Sequence, residues 1–355
     1  MVKLYLERAG HILPIDLWLD FKTIANVTVD VEPVISLILQ NIHRCWSLTI
    51  RASIFHVSKI FPLTGDLSSL RDLELQLATP YHNPFRTVYL LKPSPEHHLR
   101  SLSIFGVPYL DLPNIQWGSL SHLALYEVCL PQVQILAVLR RCTNLISFKC
   151  KSDSLVRREP NDGVIELPHL KLLDVRLSGI FPPLVIRAPR LQHLRTQGYM
   201  HAANSSYAVF PLLRTIALDE FAGLSRNAVR TCLSLTALEL VGSEKGLGIL
   251  ESLIPVPLAL AASPEATEML APALAHIRVR RNPHSVPLIV WKTTSMLLKT
   301  ILQQRPQVVL EYEATRGAIG GFKSLSTEFP GRVRAVDDFA AHPPLSDRFW
   351  IIVGG

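Results

Sequence analysis

Several residue types and patterns are scarce in this chain, and each scarcity excludes something. Only 5 of its 355 residues are cysteine. Cys45, Cys129, Cys142, Cys150 and Cys232 are odd in number and contain no Cys-x-x-Cys pair, which argues against a disulfide scaffold and against a cysteine-rich zinc site. Charged residues make up 18% against 48% hydrophobic, too apolar a balance for a disordered chain. Long hydrophobic runs are missing. The most apolar stretch, 253–262, is broken by Pro255 and Pro257, whereas a membrane span needs about 20 apolar residues. The first eight residues carry Lys3, Glu7 and Arg8, where a secretory signal would begin its apolar segment. An intracellular protein of the cytoplasm or nucleus, with reduced thiols and no membrane span, is therefore expected.

The motifs of common chemistries are missing as well. There is no Gly-x-Ser-x-Gly elbow, no Gly-x-x-x-x-Gly-Lys phosphate loop and no His-Glu-x-x-His pair. Gly242, Gly246 and Gly248 lack the rest of a dinucleotide fingerprint and read as a loop. His97 and His98 read as loop residues, and Asp337 and Asp338 stand alone near the end of the chain. Cys142 and Cys232 sit just ahead of repeat starts, where a small buried hydrophobe fits. No catalytic residue, cofactor, metal site or small-molecule substrate is expected, and the chain reads as a non-enzyme.

The net charge is +7, from 36 basic and 29 acidic residues. Basic character can serve nucleic acid or an anionic membrane surface. Here the arginines fall in small groups (Arg140-Arg141, Arg157-Arg158, Arg278/Arg280/Arg281) without interleaved aromatics. Nucleic acid is accordingly not the expected partner; a basic module binding RNA or a membrane surface stands as an alternative.

What the chain does have is leucine, about one residue in six, far above ordinary usage. Most of it follows one motif: an apolar residue, two variable residues, Leu, one variable residue, another apolar residue. Clear copies begin at Leu70, Leu99, Leu120, Leu170, Leu213 and Leu235, and weaker ones at Cys45, Leu145, Leu191 and Leu274. Most spacings fall between 21 and 29 residues, the range of leucine-rich repeats. The closing two-residue alternation marks a short strand with one buried face. Several copies follow an apolar-Pro pair: Phe61-Pro62, Leu167-Pro168, Ala188-Pro189, Phe210-Pro211, Ala271-Pro272. Proline lacks an N–H and suits a loop leading into a strand. Helices are expected at 34–42, 131–141 and 289–302, a loop insertion at 255–264, and a further strand at 308–312.

The expected fold is α/β: an irregular leucine-rich-repeat solenoid, or horseshoe, with a parallel sheet on its concave face and helices and loops on its convex face. It is expected to span 1–312, followed by a weakly structured or capping tail over 313–355. Side chains alternate along a strand, so Thr49, Arg51, Glu74, Tyr126, Lys149, Lys151, Asp174, Arg176, Arg195, Asp219, Glu239, Arg278 and Arg280 are expected to point out of the concave face. As a set they are the candidate site for a protein target.

Three segments carry a family resemblance. Residues 5–10, Tyr-Leu-Glu-Arg-Ala-Gly, look like a "WLERSG" signature followed by a strand over 13–19. Residues 42–50 look like an "H-x-x-R-W-x-x-L-x-L" repeat. Cys142-Thr143-Asn144-Leu145 and Ala188-Pro189-Arg190-Leu191 look like "CPNL" and "APxL" repeat starts. In this order they resemble the large group of fungal F-box/leucine-rich-repeat proteins, over roughly residues 1–310. Tyr5 and Ala9 replace the usual Trp and Ser. The family's F-box precedes the "WLERSG" region, which here begins at residue 5. The F-box is thus expected to be lost, or truncated from this sequence. Residues 13–17, Leu-Pro-Ile-Asp-Leu, imitate an F-box opening, but Ile15, Leu17 and Leu19 alternate like a strand. The resemblance implies the substrate-recognition part of a cullin–RING (SCF-type) ubiquitin ligase, with a Skp-type adaptor and cullin as partners wherever an F-box exists upstream. The alternative is a free-standing interaction scaffold.

Overall fold

The computed structural model describes residues 14–21, 32–53, 66–77, 88–89, 98–106, 110–111, 115–128, 132–152, 164–177, 186–197, 210–218, 232–241, 250–251, 253–254, 256–257, 267–268, 271–280, 288–313 and 319–336. Among them the chain is α/β, with few helices and a large parallel sheet of 13 strands. It divides into two compact units, Met1–Arg157 and Arg158–Gly355.

The first unit contributes six strands in chain order: β1 (Ile15–Asp20), β2 (Cys45–Ala52), β3 (Asp72–Leu77), β4 (Ser101–Phe105), β5 (His122–Tyr126) and β6 (Ser147–Ser152). Each pairs in parallel with the next. The second contributes β7 (Leu172–Leu177), β8 (His193–Gln197), β9 (Thr215–Leu218), β10 (Ala237–Val241), β11 (His276–Arg280), β12 (Val309–Glu313) and β13 (Val333–Val336), again parallel throughout. All ten repeat starts read from the sequence lead into one of these strands.

The register explains the leucine excess. In the first unit Leu17, Leu48, Leu73, Leu102, Leu123 and Phe148 occupy matching positions on successive strands, and all are buried. Leu173, Leu194, Ile216, Leu238, Ile277, Leu310 and Val333 form the corresponding column of the second. A single strand would leave its leucine in water. Stacked in register, each contributes roughly 1.5–3 kcal/mol.

The residue that opens each motif copy is buried too, at a tight turn. Backbone N–H groups of Leu170, Leu191, Leu213, Leu235 and Leu274 donate to the carbonyls of Leu167, Ala188, Phe210, Cys232 and Ala271, at 3.0–3.2 Å. Each bond closes a four-residue turn. Pro168, Pro189, Pro211 and Pro272 occupy its second position, where a fixed φ is an advantage. Cys142 and Cys232 take the first position of such turns and are buried, as a small hydrophobe there should be. Phe61-Pro62 lies outside the described residues.

Helices α1 (Glu32–Asn41), α2 (Gln132–Arg141), α3 (Leu288–Gln304) and α4 (Ile319–Glu328) bury apolar residues at helical spacing: Ile35 and Ile38 in α1, Ile135, Leu136, Val138 and Leu139 in α2, Leu298, Ile301 and Leu302 in α3, Phe322 and Leu325 in α4. Of the expected insertion at 255–264, Val256–Pro257 pairs antiparallel with Thr267–Glu268, and 258–266 lie outside the described residues. Strand pairing does not stop at Tyr312. α4 follows, with Phe322 stacked on Tyr312 at 4.7 Å, and β13 extends the sheet to Val336. Arg332 caps the end of α3 by donating to the carbonyls of Leu302 (2.9 Å) and Arg305 (2.7 Å). The rest of the expected tail, 337–355, is outside the described residues.

Candidate functional site

The alternation that buries Leu17, Leu48 and Leu73 turns their neighbours to the opposite, polar face of the sheet. In the first unit two rows there are in register. One reads Trp18, Thr49, Glu74, Ser103, Ala124, Lys149; the next reads Asp20, Arg51, Gln76, Phe105, Tyr126, Lys151. All of these side chains are half-buried or exposed. Arg51, Glu74, Tyr126, Lys149 and Lys151 thus share one face, as expected.

Their neighbourhoods differ. The Arg51 guanidinium lies over the Trp18 ring at 4.7 Å, and Trp18 is 64% exposed. Tyr126 stacks on Phe105 with centroids 4.8 Å apart. Lys151 Nζ reaches Glu127 at 3.3 Å, an exposed pair worth little on its own. A third row begins with Asp16, Ser47 and Asp72 and ends with Ser101, His122 and Ser147. Burial raises the Asp72 carboxyl above its ordinary range and Asp16 adds to this, against the pull of His122 and Arg100. Burial lowers His122, against the attraction of Asp72. His122 Nδ1 is 2.8 Å from Ser121 Oγ.

In the second unit the candidate residues also fall on the polar face, but several are not solvated. Asp174, Arg195, Glu239 and Arg278 are 6%, 7%, 1% and 1% exposed. The register supplies a reason. Asp174, Arg195, Ala217, Glu239, Arg278 and Glu311 stand on successive strands, so charges of opposite sign neighbour one another. Arg278 donates to Glu311 Oε2 from Nη2 at 2.6 Å and from Nε at 3.0 Å, and its Nη1 is 4.0 Å from Glu239. Arg176 holds Asp174 through two bonds of 3.0 and 2.9 Å. Arg278 with Glu239 and Glu311, and Arg176 with Asp174, are thus committed to the chain's own structure. Arg280 aligns with Val241 at the strand ends, and Asp219 is outside the described residues.

Sequence reasoning missed Trp18, Gln76, Phe105 and Glu311. Trp18 lies ahead of the first motif copy. Gln76 and Phe105 lie one residue past the six-residue motif, and extending the alternation by one step would have found them. Glu311 sits beyond the last copy.

Among the described residues, no group of three or more His, Cys, Asp or Glu side chains is placed to hold a metal ion, and no helix is long and apolar enough to cross a membrane. Cys45, Cys142, Cys150 and Cys232 are buried and not disulfide-bonded. Burial pushes Cys45 and Cys142 up to about 12. His97, Asp337, Asp338 and the cluster of Gly242, Gly246 and Gly248 lie outside the described residues. Comparison with family models, curated proteins and solved structures finds no match to this chain.

Proposed function

We propose that this chain is a non-enzymatic protein-binding repeat protein, a leucine-rich-repeat solenoid whose concave polar face holds a protein target. The observation that carries the reading is the face itself. A parallel sheet, ten of whose 13 strands carry the motif, presents in its first unit in-register rows of half-buried and exposed polar and aromatic side chains. By its resemblance to fungal F-box/leucine-rich-repeat proteins, the chain serves as the substrate-recognition part of an SCF-type ubiquitin ligase inside the cell, in cytoplasm or nucleus, with a Skp-type adaptor and cullin as partners only where an F-box exists upstream.

The test is co-purification. The longest product of the gene is expressed with a Skp-type adaptor and a cullin, and recovery of both supports the ligase role. If the longest product carries no F-box and retains neither partner, the ligase role falls and the chain is a free-standing scaffold.

A further inference from the structure

The polar face of the first unit is graded in charge. Asp16, Asp20, Asp72 and Glu74 occupy β1 and β3, four carboxylates with Arg51 of β2 among them. Lys149 and Lys151 occupy β6, Lys151 paired at 3.3 Å with exposed Glu127. Between these ends the Phe105–Tyr126 stack lies on β4 and β5. Exposed Trp18 stands at the acidic end beneath Arg51. Tryptophan, tyrosine and arginine are the residues that carry most of the binding energy at protein interfaces.

Two polar atoms on this face, Arg51 Nε and Gln76 Oε1, are buried without a hydrogen bond. They belong to residues paired in register on β2 and β3. One is a donor and the other an acceptor, the complement of a peptide group's C=O and N–H.

We propose that the first unit binds an extended segment of a partner protein whose charge runs opposite to this gradient: Lys or Arg over β1 to β3, an apolar or aromatic residue on the Phe105–Tyr126 stack, and Asp or Glu over β6. Four strand spacings separate β2 from β6, about 19 Å at ~4.8 Å each, a distance that roughly six extended residues cover. The segment is thus short, and its basic and acidic ends lie five to seven residues apart. This rests on the protein-binding reading above and narrows it.

The experiment selects a displayed random twelve-residue peptide library against the full chain, then measures the selected peptides, fluorescein-labelled, by anisotropy. Enriched peptides are expected to carry basic and acidic residues at the stated separation around an apolar one. Trp18→Ala, a change at an exposed side chain, should weaken binding at least tenfold. Glu74→Lys should shift selection away from basic residues at that end. Thermal melts establish that both variants fold. Peptides without charge segregation, or binding unmoved by both variants, overturn the inference. If selected peptides instead lose binding on Leu212→Ser or Leu233→Ser, exposed turn residues of the second unit, the inference fails while the protein-binding reading survives. A selection that returns nothing above an unrelated control protein overturns both.

Discussion

Replacing Arg278 by Met tests whether the second unit's polar row is a structural device. Arg278 is 1% exposed and bonded twice to Glu311, with Glu239, itself 1% exposed, at 4.0 Å. A unit charge pair at that distance is worth about 4 kcal/mol at an effective dielectric of 20. Removing one member of a buried pair costs about 3–5 kcal/mol, because the partner stays buried without its counter-charge. Arg278→Met keeps most of the volume and should cost that amount. Glu239→Gln added to it removes the stranded carboxylate and should return about 2 kcal/mol, a coupling within the usual range for contacting residues. A long stack of repeats need not unfold in one step, so the measurement is native-state hydrogen exchange at the amides of β10, β11 and β12. A loss below about 1 kcal/mol in the single variant, or strict additivity in the double one, would refute the ladder as a source of stability.

Three further outcomes follow from the same physics. Arg305 is fully buried and donates to the carbonyls of Ala271 at 2.8 Å and Leu253 at 2.9 Å; Arg305→Met should cost about 3–5 kcal/mol, since two acceptors lose charge-assisted bonds, and a urea midpoint within error of wild type would contradict this. Burial and the nearby Arg214 hold His193 down at about 4, against about 6.5 when unfolded. The unfolded chain therefore takes a proton that the folded chain refuses, and stability falls as pH drops from 6.5 toward 4, by on the order of 2 kcal/mol after discounting for solvent screening. His193→Gln, which can keep a bond to Thr215, should flatten that dependence; an unchanged pH slope in urea titrations counts against the assignment. Cys45, Cys142, Cys150 and Cys232 should resist iodoacetamide in the native chain and react on unfolding, because all four are buried away from the reagent and burial also suppresses the thiolates of Cys45 and Cys142; rapid native labelling located by mass spectrometry would refute this.

The strands were legible because each needs only local information. Leu73 and Leu75, or Leu123 and Leu125, alternate with polar residues, and one repetition every 21–29 residues identifies the rest. The same alternation told which side chains leave the core, so Arg51, Glu74 and Lys149 were placed on the right face. Their environment was not legible. Nothing local distinguishes Glu74, half-buried on an open face, from Glu239, buried against Arg278; the two sit at the same step of the same motif. β13 was hard to read for the opposite reason: Val333-Arg334-Ala335-Val336 holds no leucine and lies beyond the last motif copy.

By itself, then, the sequence determined the strands of the repeating part, their parallel stacking and the two-faced character of each, because period-two hydrophobicity recurring at short intervals has few other ways to bury its leucines. Only the tertiary structure decided which polar residues become neighbours. Register places Glu239 beside Arg278, and Arg278 beside Glu311, although 39 and 33 positions separate them in the chain. Charge neutralisation acts over a few ångströms of space, and a linear pattern holds no record of that distance.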